Sequence, residues 1–527
     1  MKKVLVIGSG ISGLTCAIKC AELGMQVNLV SSRPAEQAQS VMAAGGINAA
    51  LRKDDSIARH IEDTLNAGCH IEDEDEVKGL CESAPEIIKW LESIGTIFSR
   101  DDSGKLMQRP FGAQSIPRTN YCGTCTGKQI VSALVAKCRE YEAKGLIKRT
   151  TGLYFNRALI KDGLCFGAVF YDEYRQVMQP IPADMTVVAT GGLNGLFGNA
   201  VTGSVLNDSF ATAKLFTQGV KLRNLEFIQY HPTAIDVQGK KVLISEAARG
   251  EGGRLYYEAN GERIYFLEKA FGPDGNLAPR DVVSHYIHSA PSQVYLDMTR
   301  IRKKIVHERL QEVYDICKDR LNIDITEKSV PVNPAVHFFM GGIDVDNRHR
   351  TNILHLYAIG EAASKYHGAN RLGGNSLLAA LYSAGLAAKD IGTMPDVDYM
   401  MPDFSDELAL ANEELQKITL PGNVIHENRT YATLSIIMSE CMGIERNKLQ
   451  LEHGLMKVKT LLSYPSYKQK ALMALAKACI MSAYEREESR GAHFRSDFPK
   501  ANEYYQSYSM AEYKDGNIEI KYPKGHF

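Results

Sequence analysis

Residues 3–32, KVLVIGSGISGLTCAIKCAELGMQVNLVSS, decide the fold of this chain. Residues 4–7 and 27–30 are short apolar runs of the kind found in buried parallel strands. Between them, apolar residues from Ile11 to Ile18 recur at helical spacing, and a glycine follows where that helix would end. The stretch therefore predicts a strand–helix–strand unit at the start of an α/β domain.

Three glycines follow the first strand in Gly-x-Gly-x-x-Gly spacing, at Gly8, Gly10 and Gly13. They permit a tight turn and let backbone N–H groups approach a pyrophosphate at the helix N-terminus. An ordinary strand–turn–helix is the alternative, but the place of the motif between strand and helix favours dinucleotide binding. Ser31 and Ser32 replace the acid expected after the second strand, and a serine hydroxyl can still bond a ribose.

Two later segments repeat the pattern of a strand followed by glycine, MTVVATGG at residues 185–192 and LYAIGEAA at residues 356–363. A small-residue helix follows the second one, and Asn375 or Ser376 would cap it. The nucleotide domain is therefore predicted to be discontinuous. We predict an α/β fold with a Rossmann-like nucleotide domain at 1–230 and 336–395, an inserted α+β capping domain at 231–335, a helical domain at 396–490, and a polar, irregular tail at 491–527.

The composition is that of an ordinary globular protein, with 527 residues, 44% hydrophobic and 23% charged. A formal net charge of -1 gives no support for binding nucleic acid or an anionic membrane through bulk charge. No window approaches 18 uninterrupted apolar residues, so insertion into a membrane is not expected. The N-terminal MKKVLVIGSG is interpreted as mature sequence, because it runs into the first strand without a signal-peptide core.

The 11 cysteines are scattered and odd in number, which fits a reducing cytoplasm better than a disulfide framework. No cysteine cluster has iron–sulfur or haem spacing, so no metal site is expected on this chain. Any redox cofactor bound here is therefore organic, and a metal centre would lie on another chain.

Residues 40–50, SVMAAGGINAA, carry almost no functional groups and place two glycines side by side. Such a segment cannot do acid–base chemistry, but it allows a large flat ligand to approach the backbone closely. Residues able to do chemistry stand instead on short segments bounded by glycine or proline. They are His231, Glu246, Arg249, Arg280, His337 and Arg371.

Each of these residues also has an ordinary structural interpretation. A lone histidine after a strand is usually a satisfied structural residue, and Arg280 followed by Asp281 could cap a helix and form a surface ion pair. Together they suit a small dianion, because arginine offers a fixed fork of donors to carboxylates and histidine adds a further donor.

Ten motifs, in order from residue 8 to residue 499, carry a resemblance to a known family. They are GSGISGL, AAGGINAAL, HIEDTLNAG, QYHPTA, RGEGG, LAPRDVVS, HFFMGGI, AIGEAA, GANRLGGNSL and EESRGAHFRSDFP. The chain resembles the flavoprotein subunit of succinate dehydrogenases and fumarate reductases, a family that includes L-aspartate oxidase. The resemblance covers nearly the whole chain.

The resemblance implies that the glycine-bearing stretch lies under the isoalloxazine ring of FAD. In membrane-complex members, a histidine just before this stretch is covalently linked to the flavin, and the matching position here is Gln39. We therefore predict non-covalent FAD, which favours reduction of an alkene or oxidation of an amine. The implied FAD contacts are Gly8, Gly10, Gly13, Ser31, Ser40, Gly45, Gly46, Thr190, Gly191, Asp208, Glu361, Ser376 and Leu377.

The resemblance also implies that His231, Ser245, His337 and Arg371 hold a small dicarboxylate, with Phe111 lining the pocket. Reduced flavin would give a hydride from N5 to one alkene carbon. Arg280 would give a proton to the other, fed through Glu246 and Arg249. A free guanidinium is a poor acid, so this transfer needs a strongly basic carbanion and a relay that restores the proton.

The main functional hypothesis is an FAD-dependent reductase of fumarate or a similar unsaturated carboxylate. L-aspartate oxidase, which forms iminoaspartate for NAD biosynthesis, is the alternative enzyme. A flavin-binding scaffold without turnover is a third class, and the presence of Glu246, Arg280, His337 and Arg371 argues against it. An iron–sulfur protein is the expected electron partner; free reduced flavin, NADH-linked donors and dioxygen are the alternatives.

One segment departs from the family pattern, RPFGAQSIPRTNYCGTCTGKQI at residues 109–130. Ala113 stands where glycine is usual, and Thr124 and Cys125 replace an acidic–basic pair. The preferred acceptor could therefore differ from plain fumarate. The change also creates a Cys122-x-x-Cys125 pair, which is either a thiol relay or, more in keeping with its context, two ordinary reduced cysteines.

Overall fold

The computed structural model describes residues 1–123, 125–395, 402–418, 421–461 and 467–523. Its strands are β1 (Lys3–Ile7), β2 (Gln26–Ser31), β3 (Ile47–Asn48), β4 (Gln108–Arg109), β5 (Thr119–Asn120), β6 (Ile147–Thr151), β7 (Leu153–Lys161), β8 (Leu164–Asp172), β9 (Val177–Pro182), β10 (Met185–Val188), β11 (Leu222–Arg223), β12 (Ile228–Val237), β13 (Lys240–Leu243), β14 (Arg254–Ala259), β15 (Glu262–Ile264), β16 (Val294–Asp297), β17 (Val330–Phe339), β18 (Gly342–Asp344), β19 (Leu356–Ala358), β20 (Ala363–Ser364), β21 (Glu445–Arg446), β22 (Phe494–Arg495), β23 (Met510–Lys514) and β24 (Asn517–Lys521).

The α-helices are α1 (Ile11–Glu22), α2 (Ile57–Ala67), α3 (Glu74–Ser93), α4 (Thr126–Ala143), α5 (Phe210–Thr217), α6 (Ala247–Gly250), α7 (Phe266–Phe271), α8 (Arg280–His288), α9 (Lys303–Arg309), α10 (Gln311–Leu321), α11 (Asn375–Thr393), α12 (Ser405–Ile418), α13 (Pro421–Cys441), α14 (Lys448–Leu461) and α15 (Tyr467–Glu485). Among the described helices, none combines the length and hydrophobicity that a transmembrane span requires.

The nucleotide sheet has five strands in the order β19-β10-β1-β2-β6, with each neighbouring pair parallel. The first predicted strand–helix–strand unit is β1, α1 and β2, and α1 packs against α11 and α4. Gly13 allows α1 to lie close to the preceding turn, because a Cβ there would sit 1.9 Å from the carbonyl oxygen of Gly8. The predicted α/β fold is confirmed.

The predicted cap of helix α11 is wrong. The residue before the helix is Gly374, with φ of 86°, and Asn375 is already the first helical residue. The Asn375 side chain is buried, and its amide donates to Thr64 and accepts from Asn48. It cannot also cap its own helix, so a glycine in the left-handed region makes the turn.

The insert forms a sheet in the order β13-β12-β17-β16-β14-β15 around its own apolar core. Strands β12 and β17 are antiparallel partners, and they enter and leave the insert. The predicted boundaries at 230/231 and 335/336 fall inside these two strands. The insert is therefore joined to the nucleotide domain by continuous, paired backbone, and it carries α8 against β12.

The C-terminal region follows the predicted helices with an ordered element that contradicts the predicted irregular tail. Strands β23 and β24 form a hairpin that extends the sheet β20-β18-β11-β23-β24. The turn is made by Asp515 and Gly516, with φ of 51° and 81°. Aspartate–glycine between alternating residues is a hairpin signal that the sequence analysis missed.

Candidate active site

A cavity of about 740 Å³ runs from the β1–α1 turn to the insert. This volume lies within the range of cofactor and ligand sites. Eighteen of the predicted site residues line it: Gly8, Gly10, Ser31, Ser40, Gly45, Phe111, Thr190, Gly191, Asp208, His231, Ser245, Glu246, Arg280, His337, Glu361, Arg371, Ser376 and Leu377.

Three predicted site residues do not line the cavity. Gly13 lies against Gly8 in the turn below α1, and Arg249 lies behind Glu246. Gly46 has φ of 136°, and a Cβ there would sit 2.4 Å from the backbone oxygen of Asn120. These residues shape the wall from behind, so no direct contact with a cofactor is assigned to Gly13 or Gly46.

Two helix N-termini meet the nucleotide part of the cavity. Helix α1 begins beside Gly8 and Gly10, and α11 begins at Asn375, just before Ser376 and Leu377 in the wall. The first turn of a helix presents backbone N–H groups and a partial positive charge. Two such ends in one cavity suit a ligand with anionic or carbonyl oxygens at separate places.

The glycine stretch forms a ledge on the cavity wall that is held from beneath. Arg109 donates to the carbonyl oxygens of Ala44 (2.9 Å) and Gly45 (2.6 Å). A Cβ on Gly45 would lie 3.0 Å from the ring of Phe111. Ala43, Ala44 and Gly45 therefore present only methyl groups or bare backbone to the cavity, which suits a flat ring.

The far nucleotide end offers polar side chains. The hydroxyl of Ser31 donates to the carbonyl oxygen of Arg33, and Asp208 pairs with Lys468 at 3.5 Å. The buried hydroxyl oxygen of Thr190 has no partner within the described structure, and Thr190 lines the cavity. An unpaired buried hydroxyl is expected to bond a ligand. Together with the helix ends and the ledge, it fits FAD.

The opposite end of the cavity is dominated by Arg280 and Glu246. Arg280 begins α8, and Glu246 immediately precedes α6. Nε and Nη2 of Arg280 donate to Oε2 of Glu246 at 2.8 and 2.5 Å. Oε1 of Glu246 accepts from the backbone N–H of Gly112 at 2.8 Å. Both side chains are buried, so the pair keeps a fixed geometry.

Arg249 pairs with the other oxygen of the Glu246 carboxylate, so Glu246 lies between Arg280 and Arg249. Its Nη2 lies 3.2 Å from Oε1 of Glu246, and its Nη1 donates to the carbonyl oxygen of Asn276. Burial raises the pKa of Glu246, but the charges of Arg280 and Arg249 outweigh it and hold that pKa at about 2. Glu246 is therefore an ionised carboxylate between two guanidinium groups.

Gln229, a residue that the sequence analysis missed, bridges Arg371 and Arg280. Oε1 of Gln229 accepts from Nη1 of Arg280 at 3.1 Å and from Nη2 of Arg371 at 3.0 Å. The guanidinium of Arg371 also lies over the ring of Phe338, 4.3 Å from its centroid. Gln229 belongs to the motif QYHPTA, but nothing in that motif shows which side chains it bridges.

The two histidines lie together, with ring centroids 5.0 Å apart. Nδ1 of His337 is 2.8 Å from the hydroxyl of Thr202, and Nδ1 of His231 is 3.2 Å from the backbone N of Thr233. Burial lowers the pKa of each histidine well below its ordinary value, and Arg280 lowers it further. Both rings are therefore neutral near pH 7. Thr202 is a second residue that the sequence analysis missed.

The wall that departs from the family pattern is strained at Ala113, whose φ is 65°. Its backbone N–H donates to the carbonyl oxygen of Leu277 in the insert. A residue with a Cβ is disfavoured in this left-handed region, where glycine is free. Thr124, the other altered position named with Cys125, lies outside the described residues.

The Cys122-x-x-Cys125 pair does not have the environment of a reactive thiol. Cys122 is buried in the core of the nucleotide domain. Burial, together with the neighbouring Cys125, raises the pKa of Cys122 to about 12. A thiol with this pKa stays protonated near neutral pH, which favours two ordinary reduced cysteines.

Comparison with known proteins places this geometry in a family. A family model described as FAD binding domain matches residues 3–377, and one described as Fumarate reductase flavoprotein C-term matches residues 431–527. The chain belongs to the succinate dehydrogenase/fumarate reductase flavoprotein family. It is therefore an FAD-dependent oxidoreductase of a family that acts on dicarboxylates, as the motifs predicted.

Individual relatives cover nearly the whole of this flavoprotein. It is 33% identical over 540 residues to the succinate dehydrogenase flavoprotein subunit of Bacillus subtilis (strain 168), covering 95% of this chain and 92% of the relative. It is 35% identical over 535 residues to L-aspartate oxidase of the same organism, covering 98% and 94%. Among solved structures, an E. coli quinol fumarate reductase matches with a TM-score of 0.88 and 27% identity, covering 99% and 97%.

Proposed function

We propose that this flavoprotein reduces fumarate, or a similar unsaturated carboxylate, to the saturated acid. The observation that carries the proposal is the buried Arg280–Glu246 pair, which shares the cavity with Arg371, His231 and His337. The same cavity fits FAD at its other end. When bound, FAD supplies hydride transfer from N5 of its reduced ring.

Binding is the task of Arg371 and the two histidines. Arg371 presents a buried fork to one carboxylate, and the adjacent rings of His231 and His337 add neutral donors in the same cavity. Burial and the charge of Arg280 lower the pKa of Arg371, so an anionic ligand beside it would stabilise its charged form. The guanidinium groups outnumber the ionised carboxylate of Glu246, so this end of the cavity favours an anionic substrate.

Proton transfer is the task of Arg280. A guanidinium N–H bond breaks as a C–H bond forms on the substrate carbon that has gained negative charge. Glu246 then restores that proton. Its Oε1 takes a proton from Nη2 of Arg249, 3.2 Å away, and rotation of the carboxyl group brings this proton to Arg280, whose Nη2 lies 2.5 Å from Oε2; Arg249 regains a proton from solvent. Because its pKa is near 2, Glu246 carries that proton only in transit.

The second candidate is L-aspartate oxidase, favoured by the 35% identity to the Bacillus subtilis enzyme. One pair of assays separates the two functions. Reduced viologen with fumarate, without oxygen, measures alkene reduction; L-aspartate with dioxygen measures amine oxidation. We expect fumarate-dependent oxidation of the viologen. Turnover of L-aspartate alone would contradict the proposal, and no turnover in either assay would favour a flavin-binding scaffold.

We propose that FAD is held without a covalent bond. Gln39 lines the cavity, and its Oε1 accepts from Nδ2 of Asn194 at 2.5 Å and from the backbone N–H of Ser204 at 3.4 Å. A glutamine amide has no nucleophilic nitrogen equivalent to that of an imidazole. Acid precipitation of the purified holoprotein should therefore release all the yellow colour into the supernatant. Colour retained in the pellet would contradict this assignment.

Electrons are proposed to come from an iron–sulfur protein in the cytoplasm. The Bacillus subtilis relative with 33% identity is a succinate dehydrogenase flavoprotein subunit, and the described helices include no membrane span. Purification from the native cell should bring down a protein with iron–sulfur absorption. Recovery of the chain alone, with turnover supported by NADH-linked or free flavin donors, would contradict this partner.

A further inference from the structure

A chain of side-chain amides leads from the two arginines to the far side of α8. Nε2 of Gln229 donates to Oδ1 of Asn370 at 2.8 Å, and Nδ2 of Asn370 donates to Oδ1 of Asp281 at 2.8 Å. Gln229 is 0% exposed and Asn370 is 3% exposed. Asp281 lies next to Arg280 in sequence, but its side chain lines a second cavity of about 210 Å³.

The two ends of this chain differ in hydrogen-bonding character. Arg280 and Arg371 can only donate, whereas an ionised carboxylate such as Asp281 can only accept. The amides of Gln229 and Asn370 can both donate and accept. A rotation of about 180° would exchange the oxygen and the NH₂ group of either amide. In the observed direction, the Gln229 oxygen accepts from both arginines and each NH₂ group donates toward Asp281. Nε2 of Gln229 also donates to the carbonyl oxygen of Arg371 at 2.8 Å.

A reversed chain would place the NH₂ group of Gln229 against two buried guanidinium groups. Both arginines would then lose the acceptor that they share, and donors would face donors in a buried site. Leaving such groups unsatisfied is costly, and in a low-dielectric interior the cost rises. The direction of the chain therefore matters to the geometry of both arginines.

We propose that Asp281 is a positioning residue. It sets the direction of the Asn370–Gln229 chain and so keeps the guanidinium groups of Arg280 and Arg371 oriented to bind a dicarboxylate. The proposal rests on the proposed function, because it takes these two arginines as the groups that hold and protonate the substrate. Asp281 does not touch the substrate; it acts through two amides.

The competing explanation is that Asp281 only ties α8 to the loop that carries Asn370. A structural tie would change the stability of the protein, but its effect would not depend on Gln229. A double-mutant cycle separates these possibilities, since residues that act through one chain are not additive. The variants are Asp281→Leu, Gln229→Leu and the pair of them together.

The measurement is the dissociation constant of succinate, read from the change it causes in the absorption spectrum of the oxidised, FAD-loaded protein. Asp281→Leu should weaken succinate binding about ten- to a hundredfold, the range that corresponds to losing one buried, charge-assisted hydrogen bond. In the Gln229→Leu background, the same substitution should change the constant less than about twofold. FAD content and the melting temperature of each variant are measured alongside.

Ser284→Ala is the matched control. Ser284 lies one turn along α8, lines the same second cavity and donates to the carbonyl oxygen of Tyr230, but it is outside the amide chain. This variant should bind succinate as the wild type does. If Asp281→Leu does not fold, Asp281→Asn is used in the same cycle. The asparagine side chain keeps the shape of aspartate and one acceptor oxygen. We therefore expect a smaller loss of succinate affinity, which again vanishes in the Gln229→Leu background.

Unchanged succinate affinity in the Asp281 variant, or equal effects in both backgrounds, would overturn the positioning role. Failure of the proposed function looks different. A wild type that binds succinate with the expected coupling, yet never reduces fumarate, contradicts the function and leaves the role of Asp281 standing. A wild type that reduces fumarate while the cycle is additive contradicts the role of Asp281 alone.

Discussion

At the scale of single residues, the site depends on charges that only neighbours make tolerable. Glu246 is buried, yet two guanidinium groups keep the pKa of this carboxyl at about 2. Removing one partner of a buried pair leaves an uncompensated charge and is strongly destabilising. Substitutions here must therefore be assessed for folding and cofactor content before their activity is interpreted.

Arg280→Ala should abolish fumarate reduction while FAD stays bound. The variant loses the proposed proton donor, and loss of general acid catalysis costs about 10²- to 10⁴-fold in turnover. The glycines predicted to contact FAD and the ledge do not contact Arg280 in the hydrogen-bond network of the described residues. The assay is fumarate-dependent oxidation of reduced viologen, with flavin content read from absorbance.

Arg263→Ala is the control for this substitution, because Arg263 is exposed on the insert and does not line the cavity. It should keep wild-type turnover. Normal turnover by Arg280→Ala would remove Arg280 from the mechanism as the acid.

At the scale of elements, the ledge at residues 40–50 leaves space for a ligand because it carries few functional groups and two adjacent glycines. Arg109 holds its backbone from beneath, and Gly45 faces the ring of Phe111. Helix α11 begins at the same cavity with a glycine cap instead of a side-chain cap, because the Asn375 side chain is occupied elsewhere. Both elements therefore present backbone to the cavity.

Gly45→Val should reduce FAD binding while the protein still folds. A Cβ at this position would lie 3.0 Å from Phe111, so a valine would have to displace the Phe111 ring or its own methyl groups within the cavity that both residues line. We expect at least a tenfold rise in the dissociation constant of FAD, measured by quenching of free-flavin fluorescence on titration with apoprotein.

Gly385→Ala serves as the control, since an added Cβ there meets nothing within 4 Å. Gly385 lies in the interior of α11, where alanine is the better helix former, so this variant should bind FAD normally and melt no lower than wild type. Wild-type FAD affinity in Gly45→Val would contradict the role assigned to the ledge.

At the scale of the whole molecule, buried histidines make the fold sensitive to acid. Burial lowers the pKa of His60 and of His349 to about 4, and that of His367 to about 3. In the unfolded chain these rings titrate near 6.5, so the unfolded state binds more protons at pH between about 4 and 6.5. The free energy of unfolding should therefore decrease as the pH falls through this window.

Partly buried acids act in the opposite direction. Burial raises the pKa of Asp281 to about 6 and those of Glu312 and Glu361 to about 7. The folded state binds their protons first, so these three groups add stability as the pH falls toward their unfolded values. Burial also raises the pKa of Glu76 and Asp344, which act in the same direction. These five acids offset only part of the loss, because six buried histidines have a lowered pKa.

His349→Gln tests this balance. Nδ1 and Nε2 of His349 bond the carbonyl oxygen of Ala358 and the hydroxyl of Tyr366, away from the proposed substrate end. Between pH 7 and pH 5 the variant should lose about 2 kcal/mol less stability than wild type, because it has no ring to protonate on unfolding. Urea unfolding at the two pH values measures the difference. Identical losses in His349→Gln and wild type would contradict the assignment.

The sequence by itself determined the features that depend on neighbours along the chain. The strand, glycine turn and helix at residues 3–32 follow from apolar spacing and from the space that glycine leaves. The discontinuous α/β domain follows from recurrence of that pattern, and the family follows from motifs such as QYHPTA and GANRLGGNSL. The Asp515–Gly516 hairpin was also within reach of the sequence, because its turn signal is local.

Only the tertiary structure decided which side chains meet across long separations. Gln229 bridges Arg280 and Arg371, Thr202 bonds His337, and the C-terminal hairpin joins a sheet with β11 and β18. Local patterns specify the state of the backbone, whereas such contacts depend on how separate elements pack. For the same reason, the cap of α11 was mispredicted. The Asn375 side chain forms hydrogen bonds with residues of α2 and β3, and no pattern around residue 375 reveals these partners.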